Sequence, residues 1–411
     1  MKKTILHCDL NCFFASVEML YHPEYRNVPM AVAGDPEKRH GIILAKNVPA
    51  KKKGIRTAET INEALQKCPE LIILKPDYHS YEYFSERVRD LYYEYTDRIE
   101  PFGVDECWLD ISGSLSYFGG AEAIVSSLLN RIREEIGLTL SIGVSFNKVY
   151  AKLGSDMAKE DDFCRIDSLD DIRHLSASKL LFIGSHTCEI LKSHGIYTIG
   201  DLADHPMGYL ENILGKAGKT LYCYANGIGS DEITRYDHEA EMPKSISCCH
   251  TAERDLCSLD DFKIVLTMLC DEVATRLRKQ GLYYSKVHLL LRTKKLKVRT
   301  MQMSLKENSD LAKDIYDNAL ALFERNADFS IPYRSIGVSV SDLSYQKQYR
   351  QTSLFEESAY SIRQKKQELA MQQIRDRFGK DAIVSLRVME DQTLSRIGLK
   401  NNEPFEEVIH Q

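Results

Sequence analysis

The sequence is poor in the residues that break a chain: its 411 residues include only 22 Gly and 11 Pro. That scarcity excludes collagen-like and low-complexity disordered chains, and 43% hydrophobic with 28% charged residues is the composition of a folded globular protein. Eleven cysteines, an odd number, run from Cys8 to Cys270 without a C-x-x-C pair. This excludes a zinc ribbon or dithiol redox motif and predicts free thiols in a reducing, cytoplasmic compartment. No stretch approaches the roughly 18–20 uninterrupted apolar residues of a membrane span. Asp9 and Asn11 cut the first apolar run before it reaches the length of a secretory core. No internal repeat of roughly 20–50 residues is present, and at about 100–200 residues per domain the length predicts two to four domains.

The net charge of −6 argues on its own against a nucleic-acid partner, but its distribution does not. Lys244 to Arg350 carries eighteen Lys and Arg against thirteen Asp and Glu, a surplus of five that leaves the remainder at −11. Arg276 through Lys306 holds ten basic residues and no acidic one. A basic module is attached to an acidic body. Within it, the period of two in Lys295-Leu296-Lys297-Val298-Arg299-Thr300 predicts a strand with Lys295, Lys297 and Arg299 on a cationic face and Leu296, Val298 and Thr300 on a packed one.

Along the chain, Thr4 to Leu10 reads as a short buried strand ending in an acid, and Phe13 to Leu20 as a helix stopped before Pro23. Further helical spacing runs from Tyr81 to Ile99, a hairpin strand from Phe102 to Ile111, a helix from Ala121 to Ile136 and a strand from Leu138 to Val144. Alternating strands and helices over residues 1–160 predict an α/β or α+β body. From about 168 to 235 the pattern is helical and punctuated by glycine; a short linker follows, then a second β/α alternation from 244. Ser361 to Arg377 reads as a charged amphipathic helix with solvated packing.

Asp9 at a strand end, and Asp105-Glu106 on another strand about a hundred residues later, place carboxylates in apolar surroundings, where a cation must compensate them. Mg²⁺ takes oxygen ligands and completes its shell with water and phosphate. The three carboxylates and a backbone carbonyl, that of Leu10, could hold two such ions. The plainer alternative is that Asp9 caps the following helix and Asp105-Glu106 lies in a turn.

The segments Asp9-Leu10-Asn11-Cys12-Phe13-Phe14-Ala15-Ser16-Val17-Glu18, Val104-Asp105-Glu106-Cys107-Trp108-Leu109-Asp110 and Ser141-Ile142-Gly143-Val144-Ser145-Phe146-Asn147-Lys148, continuing through Lys152 to Ser155-Asp156-Met157-Ala158-Lys159, resemble the Y-family translesion DNA polymerases. The bacterial polymerase IV and polymerase V branches are the nearest. The resemblance implies a multi-domain right hand: palm at 1–10 and 78–167, fingers at 11–77, a helix-hairpin-helix thumb at 168–235, a linker at 236–243, a DNA-binding little finger at 244–345 and a tail at 346–411. It implies lesion-bypass synthesis without proofreading, with Asp9, Leu10, Asp105 and Glu106 holding two Mg²⁺ and a primer 3′-hydroxyl attacking a deoxynucleoside triphosphate.

By the same resemblance Phe14 is the steric gate against a 2′-hydroxyl, beside the anchor Phe13, while Lys51 and Lys159 meet the triphosphate. Gly184 and Gly195 belong to the hairpins that grip DNA phosphate, and Lys295, Lys297 and Arg299 lie along the duplex backbone. Gln351, Leu354 and Phe355 resemble a sliding-clamp peptide. The expected partners are primer–template DNA, dNTP and the clamp, with no membrane, and the expected state is a monomer. Val48, Lys51 and Gly103 stand where the family has Tyr, Arg and commonly Ser, and Ser185-His186-Thr187 where it prefers Gly-Pro-Lys. These departures keep open a second reading, a polymerase-shaped DNA-binding scaffold that is catalytically weak or inactive.

Overall fold

A computed structural model describes residues 3–34, 41–229, 232–233, 242–328, 331–346, 358–391 and 393–394. The chain divides into two compact units, Met1–His238 and Glu239–Gln411. The clamp-like peptide Gln351, Leu354 and Phe355 lies outside the described residues.

In the first unit, β1 (Ile5–Leu10) is buried at every position except Asp9. α1 (Phe13–Tyr21) follows a left-handed Cys12 at φ 50° and has no side-chain cap, so Asp9 is not a helix cap. A small sheet of β2 (Met30–Ala33), β3 (Ile43–Lys46) and β4 (Ile72–Leu74), in the order β3-β2-β4, carries α2 (Val48–Lys52) and α3 (Ile61–Lys67). Buried Asn47 fastens this region: its Oδ1 accepts from the N–H groups of Met30 and Ala50 at 3.1 Å, and its Nδ2 donates to the carbonyls of Val28 at 2.8 Å and Tyr25 at 3.0 Å. α4 (Tyr78–Tyr93) starts ahead of the Tyr81 suggested by spacing because the Asp77 carboxylate accepts from the N–H groups of His79 and Ser80.

The larger sheet adds β5 (Ile99–Pro101), β6 (Glu106–Asp110), β7 (Leu140–Ser145) and β8 (Phe163–Arg165) to β1 in the order β5-β6-β1-β7-β8. β1 is central and antiparallel to both β6 and β7. The pleat sorts its side chains. Leu6, Cys8 and Leu10 join the core formed with α6 (Ala121–Arg131), which follows the short α5 (Leu115–Phe118) and runs on as a π-helical turn, Ile132–Ile136. Ile5, His7 and Asp9 face the other way, where α7 (Lys148–Met157) covers the sheet and Ala151 packs on Ile5 and Trp108. Asn147 caps α7, accepting from Tyr150 N at 2.7 Å. β8 escapes sequence reading because its three residues carry no sustained apolar run. α8 (Ser185–Ser193), α9 (Ile199–Asp204), α10 (Met207–Leu214) and α11 (Lys216–Ala225) then share a core around Leu191, Leu202, Leu210 and Leu221.

The second unit is a four-stranded antiparallel sheet, order β11-β10-β12-β9, built from β9 (Ser245–Leu256), β10 (Tyr283–Thr293), β11 (Val298–Ser309) and β12 (Tyr333–Ser344). α12 (Leu259–Lys279) and α13 (Ala312–Asn326) cover one face, with Phe262 stacked on Phe323.

The alternation expected at 295–300 does not hold. Residues 293–297 form the turn between β10 and β11, with Leu296 at φ 63° and its N–H bonded to Thr293 O at 2.9 Å, so Lys295 and Lys297 sit on a turn. The strand phase is the reverse of the expected one: Arg299 lies opposite Leu291, Met301 opposite Leu289 and Met303 opposite Val287, all on the helix side. Arg299 is therefore not part of an outward cationic face. Its guanidinium donates to Asn326 O at 2.8 Å and Oδ1 at 3.2 Å, at the C-terminal end of α13. Leu296 and Val298 are 53% and 56% exposed rather than packed. The apolar phase is set farther along the strand, by Met301, Met303 and Leu305.

The tail is also not simply solvated. α14 (Ser358–Phe378) pairs Glu368 with Arg278 at 2.9 Å, both side chains under 10% exposed, and Glu368 Oε2 accepts from Ala312 N at 2.9 Å, at the start of α13. α15 (Leu386–Met389) follows, and Leu394 is buried in the main core of this unit.

Candidate active site

Asp9 of β1 lies opposite Glu106 of β6 and Ser141 of β7, forming one row across the sheet. The next row is Trp108, His7 and Gly143. Both rows face α7, and Gly143 is the position that requires glycine: a Cβ there would stand 1.8 Å from Ala151 O and 2.4 Å from Ser155 N. The helix can therefore lie directly on the strand and bring its polar side chains to the acids. Asp105 precedes β6 in the hairpin turn closed by Phe102 N to Glu106 O at 2.8 Å, and its carbonyl accepts from Leu10 N at 3.0 Å. The end of β1 is thereby tied to the turn. Gly103, at φ 111° in that turn, has a backbone conformation that favours glycine.

Like charges placed opposite each other on neighbouring strands repel. The compensating cation is Lys152 of α7, whose Nζ is 3.1 Å from Asp9 Oδ2, 3.2 Å from Glu106 Oε1 and 3.0 Å from Asp156 Oδ1. His7, fully buried, presents Nε2 at 3.4 Å from Glu106 Oε2 and Nδ1 at 2.7 Å from Ser155 Oγ. The His7 Nε2 and Glu106 Oε2 atoms have no well-aligned hydrogen-bond partner.

Burial, reinforced by the charges of Asp9 and Glu106, pushes Asp105 up to about 6. Asp9 is also raised by burial, with Lys152 partly offsetting it. Burial acts in the same direction on Glu106, but His7 and Lys152 together outweigh it and hold this carboxyl below its ordinary value. Lys152 is raised: burial opposes its charge, and Asp9, Asp156 and Glu106 overcome that.

The donor set is one of hard oxygens, and Glu106 Oε2 is buried with no well-aligned hydrogen bond, which suits a divalent cation such as Mg²⁺. As they stand, no three acid, imidazole or thiol groups among the described residues are gathered closely enough to chelate an ion. Asp9 and Glu106 close on the Lys152 ammonium instead.

The structure separates the two phenylalanines: Phe13 is 3% exposed and belongs to the core, whereas half-buried Phe14 stacks on Tyr81 at 4.1 Å and 11°. Tyr81 in turn donates its hydroxyl to buried Glu18. Lys51 on α2 and Lys159 after α7 are exposed. Lys51 lies close enough to Cys12, at the start of α1, for its charge to act on that thiol, and the Lys159 carbonyl accepts from Ser141 Oγ at 3.1 Å. Gly184 precedes α8, and Gly195, at φ 76°, turns the chain out of it. Lys295 and Lys297 are exposed on their turn, far in sequence from the acids and in the other unit.

Lys152 and His7 were not singled out from the sequence. The available signals were the i,i+4 pair Lys152/Asp156 and a glycine in the strand that the following helix must cover.

Two family models match the chain: impB/mucB/samB family over residues 8–156 and its C-terminal domain over 243–354. DNA polymerase IV of Acetivibrio thermocellus is 40% identical over 403 residues, covering 97% of this chain and all of that protein. DNA polymerase IV of Alkaliphilus oremlandii is 33% identical over 393 residues, 93% of this chain and 98% of that one. DNA polymerase IV 2 of Bacillus subtilis is 33% identical over 395 residues, 93% and 94% of the two. Among solved structures, a Y-family DNA polymerase chimera of Dbh and Dpo4 superposes with a TM-score of 0.73 at 24% identity, over 82% of this chain and 98% of that chain, a likeness of fold. With matches spanning both units, and an acidic row in the first where the N-terminal model lies, the chain belongs to the Y-family DNA polymerases, in the impB/mucB/samB family with the polymerases IV.

Proposed function

We propose that this chain is a template-directed DNA polymerase of the lesion-bypass kind, joining dNTPs to a primer 3′-hydroxyl with release of pyrophosphate. The observation that carries the reading is the row of Asp9 and Glu106 with Asp105 near enough for their charges to act on it. Asp9, Asp105, Glu106 and the Leu10 carbonyl would hold two Mg²⁺. Bound there, such ions neutralise the triphosphate and lower the pKa of the attacking hydroxyl.

The protein's own groups do the positioning. Phe14, backed by Tyr81, lies flat beneath the sugar and excludes a 2′-hydroxyl, while Phe13 fixes the helix behind it. Lys51, in place of the family's arginine fork, and Lys159, at the family's lysine, offer compact charges to the triphosphate. The Val48 side chain contributes no hydrogen bond.

Residues 1–10 and 78–167 act as palm, 11–77 as fingers, 168–235 as thumb and 244–345 as little finger. Gly184 and Gly195 present backbone N–H groups to DNA phosphates. Lys295 and Lys297 meet the duplex backbone from their turn, and Arg292, on the outward row with Ser335 and Val298, joins them in place of Arg299. Gln351, Leu354 and Phe355 bind a sliding clamp, and the protein works as a cytoplasmic monomer. Among the described residues no helix is long and apolar enough to cross a membrane.

The test is primer extension on a defined template with Mg²⁺ and four dNTPs, followed by sequencing of the product. Extension that copies the template supports the polymerase. Tight DNA binding with no extension supports the scaffold reading.

A further inference from the structure

Resting on the reading that the acids hold a divalent ion, we propose that Lys152 is a resident counter-ion that clasps Asp9 and Glu106 while the metal is absent and withdraws to Asp156 when it arrives. One ammonium lies within 3.2 Å of an oxygen from each of three carboxylates on β1, β6 and α7. Two of those oxygens belong to the metal-binding acids. A divalent ion on the same oxygens would be a few ångströms from the ammonium, and at that distance cations repel strongly in a partly buried site. The lysine side chain is 11% exposed, and Asp9 and Glu106 are 26% and 21% exposed.

The third partner makes withdrawal possible. Asp156 is one helical turn further along the same helix and 43% exposed, so it forms the solvent side of the clasp. Lys152 can give up the two inner contacts and keep the outer one by rotating its own stem. The helix itself cannot retreat without losing the contact that Gly143 permits. Metal binding then competes with an internal cation, and the apparent affinity is lowered by the fraction of protein in which the clasp is closed. A nucleotide that brings its own metal would open the clasp, so the two load together.

The experiment is a Mn²⁺ titration of the full chain without DNA or nucleotide, read by the electron paramagnetic resonance of free Mn²⁺. Lys152→Met is expected to bind about tenfold more tightly than the wild type, the factor given by removing a competing contact worth about 1.4 kcal/mol. Asp156→Asn, which keeps the lysine but removes its retreat, is expected to bind severalfold more weakly. In the double variant Asp156→Asn should have no further effect.

A thermal melt in EDTA distinguishes a folding defect: Lys152→Met should melt lower than wild type and regain the difference with Mn²⁺. Unchanged or weaker Mn²⁺ binding by Lys152→Met, where wild type binds and Asp105→Asn does not, overturns the clasp and leaves the metal site standing. If no variant and no wild type binds Mn²⁺, the metal site itself is wrong and the clasp falls with it.

Discussion

Gly143 lies directly beneath Ala151, so close that a single added methyl would stand 1.8 Å from the Ala151 carbonyl oxygen. Strand β7 and helix α7 therefore meet backbone to backbone, and this contact sets the height of Lys152 above Asp9 and Glu106. Gly143→Ala must push the helix off the sheet. The expected loss is about 2–3 kcal/mol in urea unfolding of the first unit, in the upper range for overpacking. Nucleotide incorporation should slow as well; an unaltered midpoint would show that the helix does not depend on this contact.

Asp105 gives a pH signature in the metal-free protein. Its folded pKa of about 6 lies above its ordinary value of 3.8, so the folded state holds the proton more tightly than the unfolded one. The resulting stabilisation is fully present below about pH 4 and is lost as pH rises through about 6. In EDTA, Asp105→Asn should match the wild type near pH 4 and exceed it at pH 7 by about 1–2 kcal/mol, after discounting for partial exposure. Equal stabilities at both pH values would contradict the repulsive site.

If the turn lysines meet DNA as proposed, they and Arg299 should respond differently to substitution. Neutralising Lys295 and Lys297 should reduce the slope of log affinity against log salt by about 1.8, or about 0.9 per duplex phosphate contact. Arg299→Ala should leave that slope alone and lower the stability of the second unit by about 1 kcal/mol, because its guanidinium is bonded to Asn326 at the end of α13. A slope change with Arg299→Ala equal to that of a lysine would return this residue to the DNA face.

Glu368→Ala leaves Arg278 buried without its carboxylate and removes an acceptor from Ala312 N. Breaking a buried pair from one side costs about 3–5 kcal/mol. Thermal unfolding of the second unit should show a loss of that size, and a loss below about 1 kcal/mol would mean that α14 contributes little to the fold.

The sequence was most informative where a long motif and an apolar run coincide. Asp9 and Glu106 could be placed because one lies near the end of β1 and the other begins β6 among apolar neighbours, and the structure brings them into one row; Asp105, expected on the strand, lies instead in the turn before it. The capping alternative for Asp9 was equally legible and fails because Cys12 starts α1 without a side-chain cap. Lys152 and His7 could not be recognised as partners of the acids, since Lys152–Asp9 and His7–Glu106 span about a hundred residues or more and the contacts depend on how closely α7 lies over Gly143. The face of Arg299 was misread because a period of two over six residues fits either phase; the choice is made by Met301 and Met303 packing toward the helices. The anchoring of α14 through Glu368 was hidden by its charged composition.

The most direct measurement is single-turnover addition of one templated dNTP by wild type and Asp105→Asn, with primer–template affinity measured on both. If the acidic row is the catalytic centre, the variant should lose at least about a thousandfold in rate while binding DNA within about twofold of wild type. Incorporation by Asp105→Asn within about tenfold of wild type, at equal DNA affinity, would place the chemistry elsewhere.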